Sequence, residues 1–505
     1  MMSDLLSNDS SFLTLILTAG ALIVVPSIIF FSSSKGNNDN NDNNDNNKSN
    51  IPWAPGRIPL LGHALKYKKD PGRFLLDSSA AVGDIFKINL AGKRMVVACG
   101  PRTQRIIATA PESVFSARQA VADVGFEQML GPLNVHKGTD LHKGIVKGMW
   151  HDDADAHVRL LIQSIRQALQ VESTESKRIQ PDAKKYNADF MKFIRRVLLR
   201  TTIDRFIGSF FLDSWENFDF IDVFMKFQDD LEDVTAKSVI LPRFLSLPLL
   251  LWPLARRRQK LQITIAERLK KTKPDAKDCG FWLNEVQTTR THSIDDIAEF
   301  IVGLLFAAHK NPAIGAAQSY LMLVEEATIE EMDLCKKEAQ MLVKNPSYQA
   351  VRESCPLLRR LCLESLRLTA HAIGGIRTAQ KDFEIGNNTG KVITKGSTVA
   401  LTHLSSSLDA KIWKEPSRFI LDPKSKERSE ELYKNEYTFS VFSHGVHKCP
   451  GQQLAVVMLE CTVALLLDEY EIEFVKPLPP IDFERATLAQ RSGPVLFSLV
   501  SNRSE

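Results

Sequence analysis

The stretch "FSVFSHGVHKCPGQQL", Phe439 to Leu454, holds the cysteine pattern that decides how the chain is interpreted. Cys449 stands between Gly445 and Gly451, and the apolar segment that follows is predicted to be a helix from about Gln452 to Glu469. Because this helix begins just after the cysteine, its positive end faces the sulfur, and we expect a lowered thiol pKa. A thiolate is the form of cysteine that binds a metal.

Three interpretations of Cys449 compete. A free cysteine is usually a buried structural thiol. A zinc site built from His444, His447 and Cys449 is the second interpretation, and an axial thiolate to haem iron is the third. The neighbouring glycines favour the third, because a flat macrocycle lying on the backbone needs positions without a Cβ. Phe442 would then pack against the ring or shield the sulfur.

Composition limits the class of protein. Of 505 residues, 44% are hydrophobic and 25% charged, which is typical of a globular protein. A net charge of +4 is too small to indicate a nucleic-acid partner. Seven cysteines without CxxC spacing indicate a reducing compartment instead of a disulfide framework.

The amino-terminal region predicts a membrane anchor. After a short tail, 1–11, residues 12–31 carry no charge over 20 positions, enough for a helix to cross a bilayer. The polar segment 32–50, rich in Asn and Asp, is predicted to be a disordered linker. More basic residues follow the span than precede it, which favours a cytosolic carboxyl side. A cleaved signal is the alternative, although the basic region that it needs is missing.

The remaining residues, 51–505, are predicted to form one mainly α-helical domain with small β-sheets. Alternating residues around an Ala-Gly turn predict a strand pair within 84–100. Ser293 and Asp296 form a capping box before a helix that is apolar nearly all round, so this helix should be buried. A further helix is expected near 351–369 and short strands towards the carboxyl end.

The segment "ILPRFLSLPLLLWPLARRR", 240–258, has two interpretations. Its three prolines and its length argue against a spanning helix. Trp252 and the arginines 256–258 suit a loop that dips into lipid headgroups. A buried connection between helices is the other interpretation.

Three motifs together resemble the cytochrome P450 superfamily of haem-thiolate monooxygenases, in its microsomal form. The cysteine loop fits FxxGxxxCxG, Glu364 and Arg367 fit ExxR, and "EPSRF" resembles the meander motif, whose Arg418 would complete an ion network with that pair. The motifs occur in the family's order, and "APGRIPLLGH" resembles the segment after the family's anchor. The resemblance implies haem b between a long buried central helix and the cysteine loop.

The resemblance also implies which residues contact the haem. Cys449 is the metal ligand, packed by Phe442, Gly445 and Gly451. His447, in place of the usual arginine, and Arg377 would meet a propionate. The propionate contacts on a second element would be His142, Lys143 and Lys147, with a solvated helix face as the alternative for the lysines.

The family's oxygen-activating turn, small-Gly-x-acid-Thr, is altered here. "GLLFAAHKNPA" has Lys310 at the position of the acid and Asn311 at that of the threonine, and Pro312 should kink the helix. His309, Lys310 and Asn311 are therefore the catalytic candidates, with a proton relay through Asn311, Lys310 and water as the hypothesis. Asparagine at this position also occurs in members that hydroxylate sterols and in relatives that rearrange peroxides. The segment "IVGLLFA" resembles the corresponding sequence of the sterol 14-alpha demethylase branch.

The leading hypothesis is a single-pass enzyme of the endoplasmic reticulum with its catalytic domain in the cytosol. It would insert one atom of O2 into a sterol, fatty acid or other lipid, with NADPH electrons from a cytochrome reductase and with cytochrome b5 as an optional further donor. The second hypothesis is an isomerase or dehydratase of lipid hydroperoxides that needs no reductase. A non-enzymatic haem or sterol binding protein is the third. No nucleic-acid partner is expected.

Overall fold

A computed structural model describes residues 49–59, 61–179, 188–213, 219–240, 243–289, 291–386, 389–483 and 488–502. The predicted tail 1–11, the anchor 12–31 and all but the last two residues of the linker 32–50 lie outside the described residues.

Helices make up most of the described chain. They are α1 (Ala64–Lys69), α2 (Pro71–Val82), α3 (Pro101–Ala108), α4 (Ala117–Asp123), α5 (Phe126–Leu130), α6 (Thr139–Asp152), α7 (Ala154–Ile179), α8 (Phe190–Phe206), α9 (Phe220–Ile240), α10 (Arg243–Ser246), α11 (Trp252–Thr272), α12 (Phe281–Thr289), α13 (Ile294–Ala308), α14 (Lys310–Glu326), α15 (Ile329–Lys344), α16 (Pro356–Leu368), α17 (Leu404–Ser407), α18 (Glu430–Lys434) and α19 (Gln452–Glu469). The mainly helical prediction is confirmed.

The strands are short. They are β1 (Ile85–Leu90), β2 (Lys93–Ala98), β3 (Phe115–Ser116), β4 (Ala188–Asp189), β5 (Ile373–Ala379), β6 (Phe383–Glu384), β7 (Val392–Ile393), β8 (Thr398–Thr402), β9 (Tyr470–Phe474), β10 (Ile481–Asp482), β11 (Gln490–Arg491) and β12 (Leu496–Ser501). The largest sheet has the order β1-β2-β8-β5-β3, in which β2 and β8 are parallel and the other pairs antiparallel. A second sheet has the order β4-β12-β9, and β6-β7 and β10-β11 are hairpins.

The predicted strand pair at 84–100 is confirmed as the hairpin β1-β2. Its pairing runs from Ile85 opposite Ala98 to Leu90 opposite Lys93, so the turn falls at Ala91-Gly92. Both faces of β2 are covered, since Val96 packs in one apolar cluster and Val97 in another. Apolar clusters therefore cover β2 on both faces.

The helices enclose one extensive apolar core around α13, α14, α16 and α19. The capping box that begins α13 is present, with Ser293 and Asp296 exchanging hydrogen bonds of 3.1 Å. By length and composition alone, Ile294–Glu326 meets the requirements of a membrane span, but 78% of its most apolar window is buried inside the protein. The prediction of a buried central helix is confirmed.

The segment 240–258 is helical in its described part, which corrects the expectation of a loop. A short helix (α10) leads through a wide turn, Leu247–Leu251, into α11. Pro253 lies in the first turn of α11, where a missing N–H costs nothing. Leu251 is buried, whereas Phe244 is 73% and Leu249 63% exposed. The segment is thus a helical connection that presents an apolar side to the exterior.

Candidate active site

The loop that carries Cys449 is held by its own backbone. The Cys449 N–H donates to the carbonyl of Phe442 at 2.7 Å, and α19 begins at Gln452, the residue predicted. Gly445 has a φ of +65°, and a Cβ there would lie 2.5 Å from the carbonyl oxygen of Ala108. The glycine is therefore required by the approach of α3, which is a reason that the sequence did not reveal.

The thiol pKa differs from expectation. Although Cys449 is exposed towards an open cavity, the surrounding protein atoms desolvate its thiol and raise its pKa above the ordinary value, and a backbone hydrogen bond from Gly451 opposes the change only in part. The expected lowering by the α19 N-terminus is thus outweighed by desolvation. A coordinating thiol is deprotonated by the metal itself, so this raised pKa is compatible with a metal ligand.

The central helix is interrupted at His309. Helix α13 ends at Ala308 and α14 begins at Lys310, so the break is at His309, three residues before Pro312. The prediction of a kink is confirmed, and its position follows because a proline ring clashes with the carbonyl four residues earlier, here that of Ala308. Asn311 is exposed within a helix whose residues are mostly buried, as is Ala307 one turn before it. The two residues mark an open face at the break.

Lys310 does not share this open face. Its ammonium is buried and lies 2.7 Å from Asp229 and 2.5 Å from Glu232, both on α9. Arg195 binds Asp229 from α8 at 2.9 Å. Burial opposes ionisation of Asp229, but Arg195 and Lys310 outweigh it and hold its pKa below the ordinary value. The prediction that Lys310 lines the oxygen site is corrected, because a buried ammonium needs carboxylate partners and finds them on α9.

His309 also turns away from the open face. Its Nδ1 lies 3.1 Å from the carbonyl oxygen of Leu305, and its ring meets Phe224 edge-on. Burial lowers the pKa of His309 to about 3, so its ring is neutral. Of the three catalytic candidates, only Asn311 is exposed at the break.

Arg377 and His447 suit the propionate side of a haem. Arg377 is 4% exposed, and within the described chain its Nη2 has no hydrogen-bond partner. A buried guanidinium nitrogen without a partner is costly, and an anion would satisfy it. His447 lies 2.7 Å from Glu112, and burial, with Arg377 nearby, lowers its pKa. These donors and the exposed Cys449 therefore fit a haem and its carboxylates.

The second predicted propionate element divides into two faces. Lys143 and Lys147 line an open cavity of about 1070 Å³, which Cys449 and Val446 also line. His142 faces the other way, where it accepts a hydrogen bond of 3.1 Å from Trp282. Burial lowers its pKa to about 4. Its Nδ1 is thus used in the packing of α6 on α12, whereas its Nε2 has no hydrogen-bond partner among the described residues, so the predicted haem contact stays a prediction.

The ion network around Glu364 is present, with a different arginine. Arg367 binds both carboxylate oxygens, at 2.7 and 2.8 Å, and Arg428 binds at 2.8 Å. Tyr433 donates its hydroxyl to the same carboxylate. Arg418 points outward to Glu415 at 2.9 Å, so the prediction that its side chain completes the network is wrong.

Sequence spacing could not have identified Arg428 or Tyr433. Arg428 lies among charged residues that resemble a solvated turn, yet it is fully buried. Arg418 contributes only its carbonyl, which accepts from Arg428 at 2.8 Å. The motif thus identified a backbone segment that joins the network, but not the side chain that completes it.

The zinc alternative lacks a ligand set. Among the residues that the structure describes, no three His, Cys, Asp or Glu side chains are grouped to hold a metal ion. Single-ligand coordination, as by Cys449 to a haem iron, is unaffected by that observation.

Comparison with known proteins identifies the family to which the chain belongs. The family model for cytochrome P450 matches residues 52–498. A sterol 14-demethylase of Arabidopsis thaliana is 24% identical over 454 residues, 84% of this chain and 86% of that protein. Abscisic acid 8'-hydroxylase 4 of the same plant is 24% identical over 463 residues, which are 88% of this chain and 92% of that protein. A sterol 14alpha-demethylase of Mycobacterium tuberculosis is 27% identical over 194 residues, which are 37% of this chain and 41% of that protein.

Proposed function

Since the chain belongs to the cytochrome P450 family and is a monooxygenase oxidoreductase, we propose that it oxidises a sterol or related isoprenoid lipid. The substrate class is supported by the activities for which two relatives that align over most of the chain are named, one acting on sterols and one on abscisic acid. The observation that carries the proposal is the exposed Cys449 together with the Arg377 guanidinium nitrogen that has no hydrogen-bond partner among the described residues.

The haem, when bound, supplies the activation of dioxygen by two electrons. Cys449 would hold its iron, and Arg377 and His447 would hold its carboxylates. Phe442 packs on Phe439, with ring centroids 6.1 Å apart, and so closes the loop beside the thiol. These residues would fix the position of the group.

Protons would reach the site from a cleft beside the broken helix. A cleft of about 640 Å³ is lined by Arg195, Asp229 and Arg491 among others, and Asp229 contacts Lys310 at its inner side. Asn311, exposed at the break, has an amide that can orient water by donating and accepting. We therefore assign proton supply to the cleft and orientation of the last water to Asn311, and the ion pair with Lys310 holds Asp229 in place.

Electrons would enter at the basic cavity. The cations that line it are Lys143, Lys147, Arg352, Arg359, Arg360, Lys434 and Lys448, against Glu353 and Glu430. Val446 is 63% exposed there, three residues from Cys449. An acidic, NADPH-dependent reductase fits this charge and would deliver electrons close to the thiolate.

The apolar side of 240–258 supports attachment to a membrane. Phe244 and Leu249 are exposed, Trp252 is 54% exposed, and Arg256 and Arg257 follow. Aromatic and basic residues in this order suit the headgroup region. With the uncharged span 12–31, they would hold the catalytic domain against the cytosolic face of the endoplasmic reticulum.

The test is turnover of purified full-length protein with a P450 reductase, NADPH and a panel of sterols and isoprenoid acids under isotopically labelled dioxygen. We expect one labelled oxygen atom in the product. Labelled oxygen absent from every product would contradict the proposal.

A hydroperoxide isomerase remains the second candidate, because Asn311 lacks the hydroxyl of the usual threonine. Anaerobic conversion of a lipid hydroperoxide without reductase, at a rate above the reductase-dependent one, would select it. Because Lys310 is ion-paired to α9, Asn311 is the residue that favours this candidate.

A further inference from the structure

Three buried histidines lie in a row beside Arg377. The ring centroids of His371 and His403 are 6.0 Å apart, and those of His403 and His444 are also 6.0 Å apart. His403 and His444 both interact electrostatically with Arg377. The row therefore runs from the start of β5, past the end of β8, to the cysteine loop.

Several nitrogens of this row have no hydrogen-bond partner in the described parts of the chain. They are Nδ1 of His371, Nδ1 and Nε2 of His403, Nδ1 of His444 and Nη2 of Arg377. Buried polar atoms are nearly always paired with protein, water or ligand. A concentration of unpaired nitrogens at one place therefore indicates a polar group that this protein binds.

The rings cannot turn to find partners elsewhere. A Cβ on Gly374 would lie 1.8 Å from the His403 ring, so this ring packs directly on the backbone of β5. His444 stacks on Tyr437 at 5.1 Å, and its Nε2 lies 3.3 Å from Gln104. The orientation of both rings is fixed by packing and not by hydrogen bonds to their free nitrogens.

All three rings are neutral. Burial lowers the pKa of His371 and of His444 to about 4, and it lowers that of His403 as well. A neutral imidazole carries one N–H and one acceptor nitrogen. His403, which pairs neither nitrogen within the described chain, therefore always has one N–H to donate.

We propose that His403 is a haem-anchoring residue, which donates a hydrogen bond to the propionate bound by Arg377, either directly or through one ordered water. His371 and His444 hold the His403 ring edge-on, at interplanar angles of 85° and 83°, and so aim its nitrogens. This inference rests on the proposed haem site.

Two substitutions of similar size separate donation from packing. His403→Leu fills the space without a donor, and His403→Asn keeps an N–H. Holoenzymes are mixed with excess apomyoglobin, and the rate of haem loss is followed. We expect His403→Leu to lose haem about tenfold faster, as for one lost hydrogen bond to a charged group, and His403→Asn to recover at least half of the difference.

The second measurement is the propionate bending band in resonance Raman spectra. We expect it to shift in His403→Leu and to stay near the wild-type position in His403→Asn. The matched control is His136→Leu, at an exposed histidine that pairs with Glu127, and it should change neither result.

Equal haem loss in both His403 variants, with an unshifted band, would overturn the proposal and leave packing as the role of the ring. A failed haem site would be recognised separately, because the wild-type protein would then lack the thiolate carbonyl spectrum.

Discussion

The ammonium of Lys310 lies 2.7 Å from the carboxylate of Asp229, so the cation beside the helix break is neutralised by α9. With Glu232 on the same helix and Arg195 on α8, this contact ties three helices together at the interruption of the central one. Lys310, which its position in the sequence predicted to be catalytic, thus stabilises the packing of these helices.

Lys310→Met is expected to destabilise the fold. Among the described residues Glu232 would lose its ion-pair partner and keep only the weaker interaction with Arg195, so its pKa, already raised by burial, would rise further. Because Asp229 is partly exposed and keeps Arg195, we expect a loss of about 2 kcal/mol in the free energy of unfolding, below the full value for a buried pair. Lys270→Met, which removes an exposed pair with Asp295, should cost at most about 0.5 kcal/mol. Equal losses of unfolding free energy in urea titrations would show that the buried pair contributes no more to stability than the exposed one.

Asn311→Ala is expected to uncouple reductant use from product formation without loss of stability. The exposed amide packs little, so the change removes a water-orienting group and little else. Product formed per NADPH consumed should fall severalfold, with peroxide as the by-product, and Asn311→Thr should retain most of the coupling. Wild-type coupling in Asn311→Ala would refute the role.

Arg428 and Arg418 provide a matched pair of substitutions. Arg428→Ala leaves the buried Glu364 short of a cation, and we expect a loss of about 3 kcal/mol or failure to retain haem. Arg418→Ala removes an exposed pair with Glu415 and should cost less than about 1 kcal/mol. Unfolding curves and carbonyl spectra of both variants give the comparison. A larger loss of stability in Arg418→Ala than in Arg428→Ala would show that Arg418 completes the network, as the sequence motif predicted.

Glu460 should make stability fall as the pH rises. Burial raises its pKa to about 8 in the folded protein, although Arg359 lies 3.4 Å away. Between its ordinary value, near 4.5, and 8 the unfolded chain has released this proton and the folded chain has not. Unfolding thus becomes easier by up to about 1.4 kcal/mol per pH unit in that window. Glu460→Gln should remove this part of the dependence; an unchanged slope in unfolding titrations would contradict the assignment.

Lys147→Glu is expected to weaken docking of the reductase. It reverses one charge of the basic cavity, so the KM for reductase should rise severalfold at low salt and less at high salt. Turnover supported by added hydroperoxide, which needs no partner, should be unchanged. Lys336→Glu, on α15 and outside the cavity lining, is the control. A similar rise in both variants would point to net charge and not to a docking surface.

Local signals in the sequence were sufficient for much of the fold. The turn at Ala91-Gly92, the capping box at Ser293 and the start of α19 at Gln452 each depend on residues a few positions apart. Patterns of this kind are set by backbone geometry, which neighbouring residues determine.

The site was harder to predict because its partners are distant along the chain. Lys310 meets Asp229 across 81 positions, and Arg428 meets Glu364 across 64. No spacing rule links such residues, and the burial that decides which arginine turns inward exists only after the helices pack. Gly445 illustrates the same limit, since the carbonyl of Ala108 requires it.

The ligation of haem iron by Cys449 is tested most directly by the absorption spectrum of the ferrous carbonyl complex of the purified full-length protein. We expect the red-shifted Soret band of thiolate ligation, and its loss in Cys449→Ser. A native protein that binds haem and gives only the unshifted band would contradict the account.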